Sequence, residues 1–404
     1  TELFTQTRQY WHDWIAQCQY HGRWREMVQR SALVLKLLTY APTGAIVAAP
    51  TTSLPETIGG ARNWDYRYTW LRDASFTLYS LLSLGFTDEA HTFMSWLDKR
   101  CHELKREQAL QPMYGIHGEH EIAESVLDHL EGYRKSSPVH IGNDAYKQTQ
   151  LDIYGIVMDA IYIYNHHSSI SYDLWQQLES LLAWLQSHWQ EPDEGIWEVR
   201  GGARHFVTSR LMSWVAFDRG IRLIHQRGLP GDIAGWMKQS TTIYRELMEQ
   251  GWNEERKSFV QHYDTDALDA STLLMALMKF SGSSEPHMAA TIQRIQAELA
   301  SGALVRRYNP DKAANDGQEG QEGFFAACSF WLAETLVEAG HVDEGRLVLE
   351  KTLSYSNHVG LYAEEIGPRG EALGNFPQAL THLSLITACY TIDNKLKASP
   401  KIFP

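Results

Sequence analysis

"GFFAACSFWLAETLVE", residues 323–338, decides how the rest of the chain is read. From Phe324 to Ala333 only Ser329 is polar. A surface helix keeps its apolar residues to one stripe, so a segment apolar nearly all round is enclosed by other elements. The chain holds no run of eighteen apolar residues, so the enclosing medium is protein and not lipid. Residues 323–338 therefore read as an inner helix.

Helical periodicity extends outward from this segment in both directions. The spacing predicts helices near 4–17, 24–39, 72–85, 87–100, 119–130, 146–166, 171–189, 206–226, 231–250, 266–280, 286–300, 323–338, 342–354 and 376–392. Leu151, Tyr154, Met158 and Ile161 form one apolar stripe in the 146–166 segment. Asn375 with Pro377 reads as a start for the last helix. The extended signal is concentrated in "GAIVAAPTTSLPE" (44–56), where Pro50 and Pro55 block helix. Paired helices without a linker predict an all-α fold in which inner and outer helices alternate: an α/α barrel formed by a single domain spanning 1–404. Polar, Gly-rich loops at 130–145, 191–205, 301–322 and 356–375 would then share one rim.

Composition narrows the function. The 404 residues carry 36 Lys plus Arg against 49 Asp plus Glu, a net charge of -13. That balance argues against a nucleic-acid or anionic-membrane partner and suits a neutral substrate. Cys18, Cys101, Cys328 and Cys389 lie far apart, with no metal-type spacing; they and the lack of a visible leader make a cytoplasmic location the expectation. Oligomeric state is not legible.

"RNWDYRYTWLRDASF" (62–76) packs five aromatics, three arginines and two aspartates into fifteen residues. Rings that stack on the faces of a pyranose, beside charged groups that bind its hydroxyls, are what a sugar pocket needs. Two acidic loops could supply its chemistry. In "EPDEGIWEVRGGARHF" (191–206) Glu198 follows Trp197, and an indole strips hydration from a neighbouring carboxylate. In "HVGLYAEEIGPRGEALGNFPQ" (358–378) an extended backbone would turn Glu364 and Glu365 to opposite sides, so only one could face a cleft. Each loop alone reads as a solvated acidic turn. As a pair they match glycoside hydrolysis, which uses one protonated and one ionised carboxyl and no metal or organic cofactor. "IHGEHEI" (116–122) gathers His117, Glu119, His120 and Glu121 but lacks HExxH spacing, so no metal is expected.

Several stretches resemble the catalytic domain of glycoside hydrolase family 15, which includes glucoamylases, glucodextranases and bacterial or archaeal trehalases. They are "RSALVLKLLTYAPTGAIVAAPTTSLPE", "GGARNWDYRYTWLRDASF", "PVHIGNDAYKQTQLDIYG", "GIWEVRG" with "HFVTSRLMSWVAFDRG", "EGFFAACSFWLAETL" and "LYAEEIGPRGEALGNFPQA", in the family's order from about residue 30 to 390. The resemblance implies an (α/α)6 barrel and inverting release of glucose from non-reducing ends of oligo- or polysaccharides. It implies Glu198 as general acid and Glu364 as general base, with Glu365 the alternative base. It implies Arg72 and Asp73 as the grip on the terminal glucose, Tyr66, Trp70 and Trp197 as its aromatic neighbours, Arg307 as a further binding arginine and Tyr133 as an aromatic above the cleft. A glucoamylase-type α-glucosidase is the first expectation; a trehalase or isomalto-oligosaccharide hydrolase is the alternative, and a silent sugar-binding relative a third. His117 and Gly367 stand where many bacterial relatives carry aspartate, and the N-terminal β-sandwich of many relatives has no counterpart in these residues.

Overall fold

The computed structural model describes residues 2–104, 109–309 and 322–398. Its helices are α1 (Glu2–Ile15), α2 (Arg25–Leu38), α3 (Leu71–Leu84), α4 (Thr87–Glu103), α5 (Asp152–Asn165), α6 (Tyr172–His188), α7 (Val207–Arg227), α8 (Ile233–Gln250), α9 (Leu274–Leu277), α10 (Pro286–Glu298), α11 (Ala326–Glu338), α12 (Val342–Leu353) and α13 (Ala379–Ala398). A 3-10 turn, Ala270–Leu273, leads into α9.

Helices α3, α5, α7, α9, α11 and α13 pack each against the next, and α13 closes on α3. Helices α2, α4, α6, α8, α10 and α12 lie outside that ring, each against an inner neighbour. This is an (α/α)6 barrel. The sequence explains the two layers. In α11 every residue from Ala326 to Ala333 is buried, whereas α8 buries only Trp236, Ile243 and Leu247 along one stripe. One apolar cluster runs from Trp14 to Ile392 and fuses both layers.

The differences from the sequence reading fall at the rim. No helix forms over 119–130. Ser125–Val126 pairs antiparallel with His140–Ile141, and the Glu124 and Asp144 side chains each accept the other residue's backbone N–H, so the backbone is satisfied across the loop. Helix α5 starts only at Asp152, after a 3-10 turn at Asp144–Lys147. Phe324–Phe325 is a strand and not helix; it pairs with Glu365–Ile366, which pairs in turn with Ala372–Leu373. Asn375 caps no helix. Its Nδ2 donates to the Trp64 carbonyl (2.9 Å) and its Oδ1 accepts from Thr51 (2.9 Å), tying residues 51 and 64 to the segment that precedes the last inner helix. The Phe324–Phe325 pairing sits directly before α11 and fixes where that helix begins.

Candidate active site

The N-terminal ends of the inner helices build the floor of a pocket. Thr69–Trp70 is held by pairing with Met113–Tyr114, which sets the start of α3 and places Arg72 and Asp73 in its first turn. Unpaired N–H groups and the helix dipole favour acids at such ends, by about 0.3–1 kcal/mol each. Asp73, Asp152 and Asp269 occupy such positions on α3, α5 and the turn before α9. The Arg72 Nε donates to Asp73 (2.7 Å), while its Nη1 donates to the Ile196 carbonyl (2.5 Å) and reaches Glu198 (3.3 Å). Arg72 faces the pocket; Asp73 braces it from behind.

Glu198 has a φ of +57°, a left-handed conformation that a non-glycine residue holds only when its surroundings fix it. The fixing contacts are present. Trp197 donates its indole N–H to both Asp269 oxygens (3.0 Å each) and packs between Phe325 and Trp331. Gln148 donates to the Glu198 and Val199 carbonyls (3.2 and 3.1 Å). The Glu198 carboxylate accepts the Trp70 indole N–H at 2.6 Å. Burial pushes its pKa above the usual carboxylate range, and Arg72 opposes that only in part. This carboxyl can carry a proton to a substrate oxygen.

Glu364 stands across the floor. It accepts the Tyr66 hydroxyl (2.6 Å) and the Gln378 amide (3.2 Å). The Tyr66 and Trp70 rings meet at 5.3 Å and 68°, so two adjacent aromatics join Glu364 to Glu198. The extended backbone separates the two consecutive glutamates. Glu364 faces the pocket, whereas Glu365 turns away and accepts the Gly323 N–H (2.8 Å). Burial raises the pKa of both, with Arg307 pulling each back.

Arg307 is 8% exposed and donates twice to Glu322 (3.0 and 2.7 Å), which also accepts from Arg62 (2.5 Å) and Tyr308 (3.0 Å). Its guanidinium lies 5.3 Å from the centre of the Trp197 ring. The sequence reading found Arg307 but not Glu56, Arg62, Glu322, Asp152 or Asp269. Glu56 and Arg62 lie inside stretches quoted for the resemblance, and only the fold shows that they meet Arg307.

The aromatic expected above the cleft lands elsewhere. Tyr133 is half exposed on a 3-10 turn beside Arg134 and does not line the pocket. The 116–122 side chains diverge: His117 meets Tyr40 edge-on and His120 bonds Gln111. Residues 310–321 of the rim loop expected over 301–322 lie outside the described residues.

The sequence profile of Glycosyl hydrolases family 15 matches residues 22–390. The chain belongs to glycoside hydrolase family 15. It is 45% identical to a trehalase of Mycolicibacterium smegmatis over 386 residues, which is 95% of this chain and 58% of that protein. It is 44% identical to a trehalase of Mycobacterium tuberculosis (95% of this chain, 57% of that one) and 40% identical to one of Thermoplasma acidophilum (98% and 68%). The chain thus spans less than two thirds of the length of the two mycobacterial proteins. A glucoamylase from Saccharomycopsis fibuligera superposes with a TM-score of 0.68 at 15% identity, covering 92% of this chain and 95% of the other. A bacterial glucoamylase complexed with acarbose gives 0.69 at 14% identity, over 91% and 55%. At such identities the glucoamylases carry the fold alone. The substrate expectation shifts accordingly, from the glucoamylase type to the trehalase alternative.

Proposed function

We propose that this chain is the catalytic part of a trehalose hydrolase working by inversion. The observation that carries the reading is the placement of Glu198 and Glu364 on one pocket, each fixed by its own aromatic donor, Trp70 and Tyr66. The substrate half of the reading is supported by the trehalases at 40–45% identity.

In this reading Glu198 gives its proton to the oxygen joining the two glucose units. Glu364 takes a proton from the water that attacks the opposite face of the same anomeric carbon. The C–O bond to the leaving sugar breaks as the new one forms. Trehalose plus water becomes one β-glucose, inverted at the attacked carbon, and one α-glucose, released unchanged. Inverting pairs stand ~6.5–9.5 Å apart to admit the water. Arg72, braced by Asp73 and the Ile196 carbonyl, is aimed at the hydroxyls of the attacked ring. The local excess of carboxylates favours a positively charged, oxocarbenium-like transition state.

Glucose release from trehalose, maltose, isomaltose and soluble starch, measured side by side, tests the substrate. Trehalose should give the highest kcat/KM. Preference for maltose and starch by tenfold or more would restore the glucoamylase reading.

A further inference from the structure

Arg200 follows Glu198 by two residues and lines the same pocket, and none of the roles above uses it. It is held in one place by several contacts. Its Nη1 and Nη2 donate to the two carboxylate oxygens of Glu124 (3.2 and 2.6 Å), and its guanidinium lies 4.2 Å from the centre of the Trp64 ring. Trp64 stacks on His140, at 5.6 Å and 6°. His140 is buried, its ring bonds the Asn63 carbonyl (2.7 Å), and its Nε2 lies 3.6 Å from Glu124. Arg200, Glu124, His140 and Trp64 thus form a closed set of contacts between residues distant in sequence. An ion pair and a ring contact on a part-exposed cation add little stability. They do fix a side chain that would otherwise move among many rotamers, and a fixed donor loses less entropy on meeting a ligand.

Exposure orders the pocket from its closed end outward. The side chains of Arg62, Arg307 and Arg72 are 4%, 10% and 11% exposed, that of Glu198 is 18% exposed and that of Arg200 29%. The three enclosed arginines are committed, Arg62 and Arg307 to Glu322 and Arg72 to Asp73 and the Ile196 carbonyl. In the proposed reaction Glu198 meets the oxygen between the two rings. The attacked ring lies inward of that oxygen, on Arg72, and the leaving ring lies outward of it, on the side of Arg200. Among the described residues, the bonds to Glu124 use one N–H on each terminal nitrogen of Arg200. The second N–H of each and the Nε–H are donors that a sugar hydroxyl can accept from.

We infer that Arg200 is a specificity-determining residue, preset by Glu124 and Trp64, that donates to hydroxyls of the leaving sugar. The assignment rests on the disaccharide reading above.

The test compares two substrates with the same first ring. Trehalose has a sugar as its leaving group; α-glucosyl fluoride has only fluoride. Arg200→Met keeps an apolar stem beside Trp64 and removes the donors. It should lower kcat/KM for trehalose at least ~10-fold more than for the fluoride, the size expected for a lost hydrogen bond to a charged group. Fluoride needs less help from an acid than a sugar does, so the pH profile is read as well: the basic limb for trehalose should stay in place. Thermal melts confirm that folded protein is compared. Equal loss on both substrates, or no loss on either, overturns the inference. A moved basic limb also overturns it, because Arg200 would then act through the Glu198 proton. If the wild type splits the fluoride but not trehalose, the trehalose reading fails. The same ratio taken with whichever disaccharide it does split then decides Arg200.

Discussion

At the mouth formed by the inner-helix N-termini, Glu56, Asp73, Glu198, Glu322, Glu364 and Glu365 gather around Arg62, Arg72 and Arg307. At the opposite mouth the charges are mostly matched; the exception is Glu334, which accepts from Thr391 (2.9 Å) and whose pKa burial raises to about 7. Arg219 donates to Asp159 (2.6 Å), to Asp218 (2.5 Å) and to the Met278 carbonyl (3.0 Å), while Glu338 holds both Lys279 (3.4 Å) and Lys395 (3.6 Å). The first mouth also keeps buried carboxylate oxygens without partners, on Glu56, Glu365 and Asp152. Both ends close the same ring of helices, so neither arrangement is forced by the fold. Paired charges hold a structure together. A surplus of buried acids destabilises it and is kept where protons must move and hydroxyls must be bound.

The largest expected effect falls on the proposed acid and base. Glu198→Gln and Glu364→Gln should each reduce kcat by ~10²–10⁴ or more, because acid–base catalysis alone is worth that much. Neither should lower Tm, since each removes a carboxyl that burial disfavours. Near-normal turnover in either variant would break the comparison at its functional end.

Next comes the far mouth. Arg219→Met strands Asp159 without its guanidinium, while Asp218 keeps Arg222 (2.6 Å). Breaking a buried pair costs ~3–5 kcal/mol. The urea midpoint should fall sharply while the kcat of the folded fraction stays unchanged. An unaltered midpoint, or a kcat loss in folded protein, would show that the two mouths do not divide the work as described.

A smaller change sharpens the role of Tyr66. Its hydroxyl bond holds the Glu364 pKa down. Tyr66→Phe should therefore raise that pKa, move the acidic limb of the kcat/KM profile to higher pH and lower kcat/KM about tenfold at neutral pH, as for a bond to a charged group. A fall in kcat/KM with the limb unmoved would assign Tyr66 to sugar contact alone.

The smallest effect is on stability against pH. Asp152 is fully buried, and burial, followed by Asp193, raises its pKa to about 7. A carboxyl with a raised folded-state pKa binds more protons folded than unfolded. Its presence therefore costs stability as pH rises from the ordinary carboxylate range through about 7. Asp152→Asn should raise Tm at pH 8, with the gain shrinking toward pH 4. A gain of the same size at both ends would remove ionisation as its cause.

The barrel was legible because burial on all sides leaves a mark in consecutive residues, as it does from Phe324 to Ala333. Glu198 and Glu364 were legible because each sits in a short stretch, "GIWE" and "AEE", that the resemblance covers. The rest of the site was not local. Glu322 means little in sequence until it meets Arg62, 260 residues away, and Arg307. Asp152 fell inside the helix expected over 146–166, with nothing local to mark it. The helix expected over 119–130 lost to a strand pairing with 140–141 that no periodicity announces. Tyr133 was placed by an aromatic in a motif, but its ring went to Arg134 beside it.

Proton NMR of the first minutes of trehalose hydrolysis tests the central claim most directly. Under the proposed inversion, with the two carboxylates on opposite faces of one sugar, α- and β-glucose should appear in equal amounts before mutarotation mixes them. Release of α-glucose alone would mean retention through a covalent intermediate, and the division of labour between Glu198 and Glu364 would be wrong.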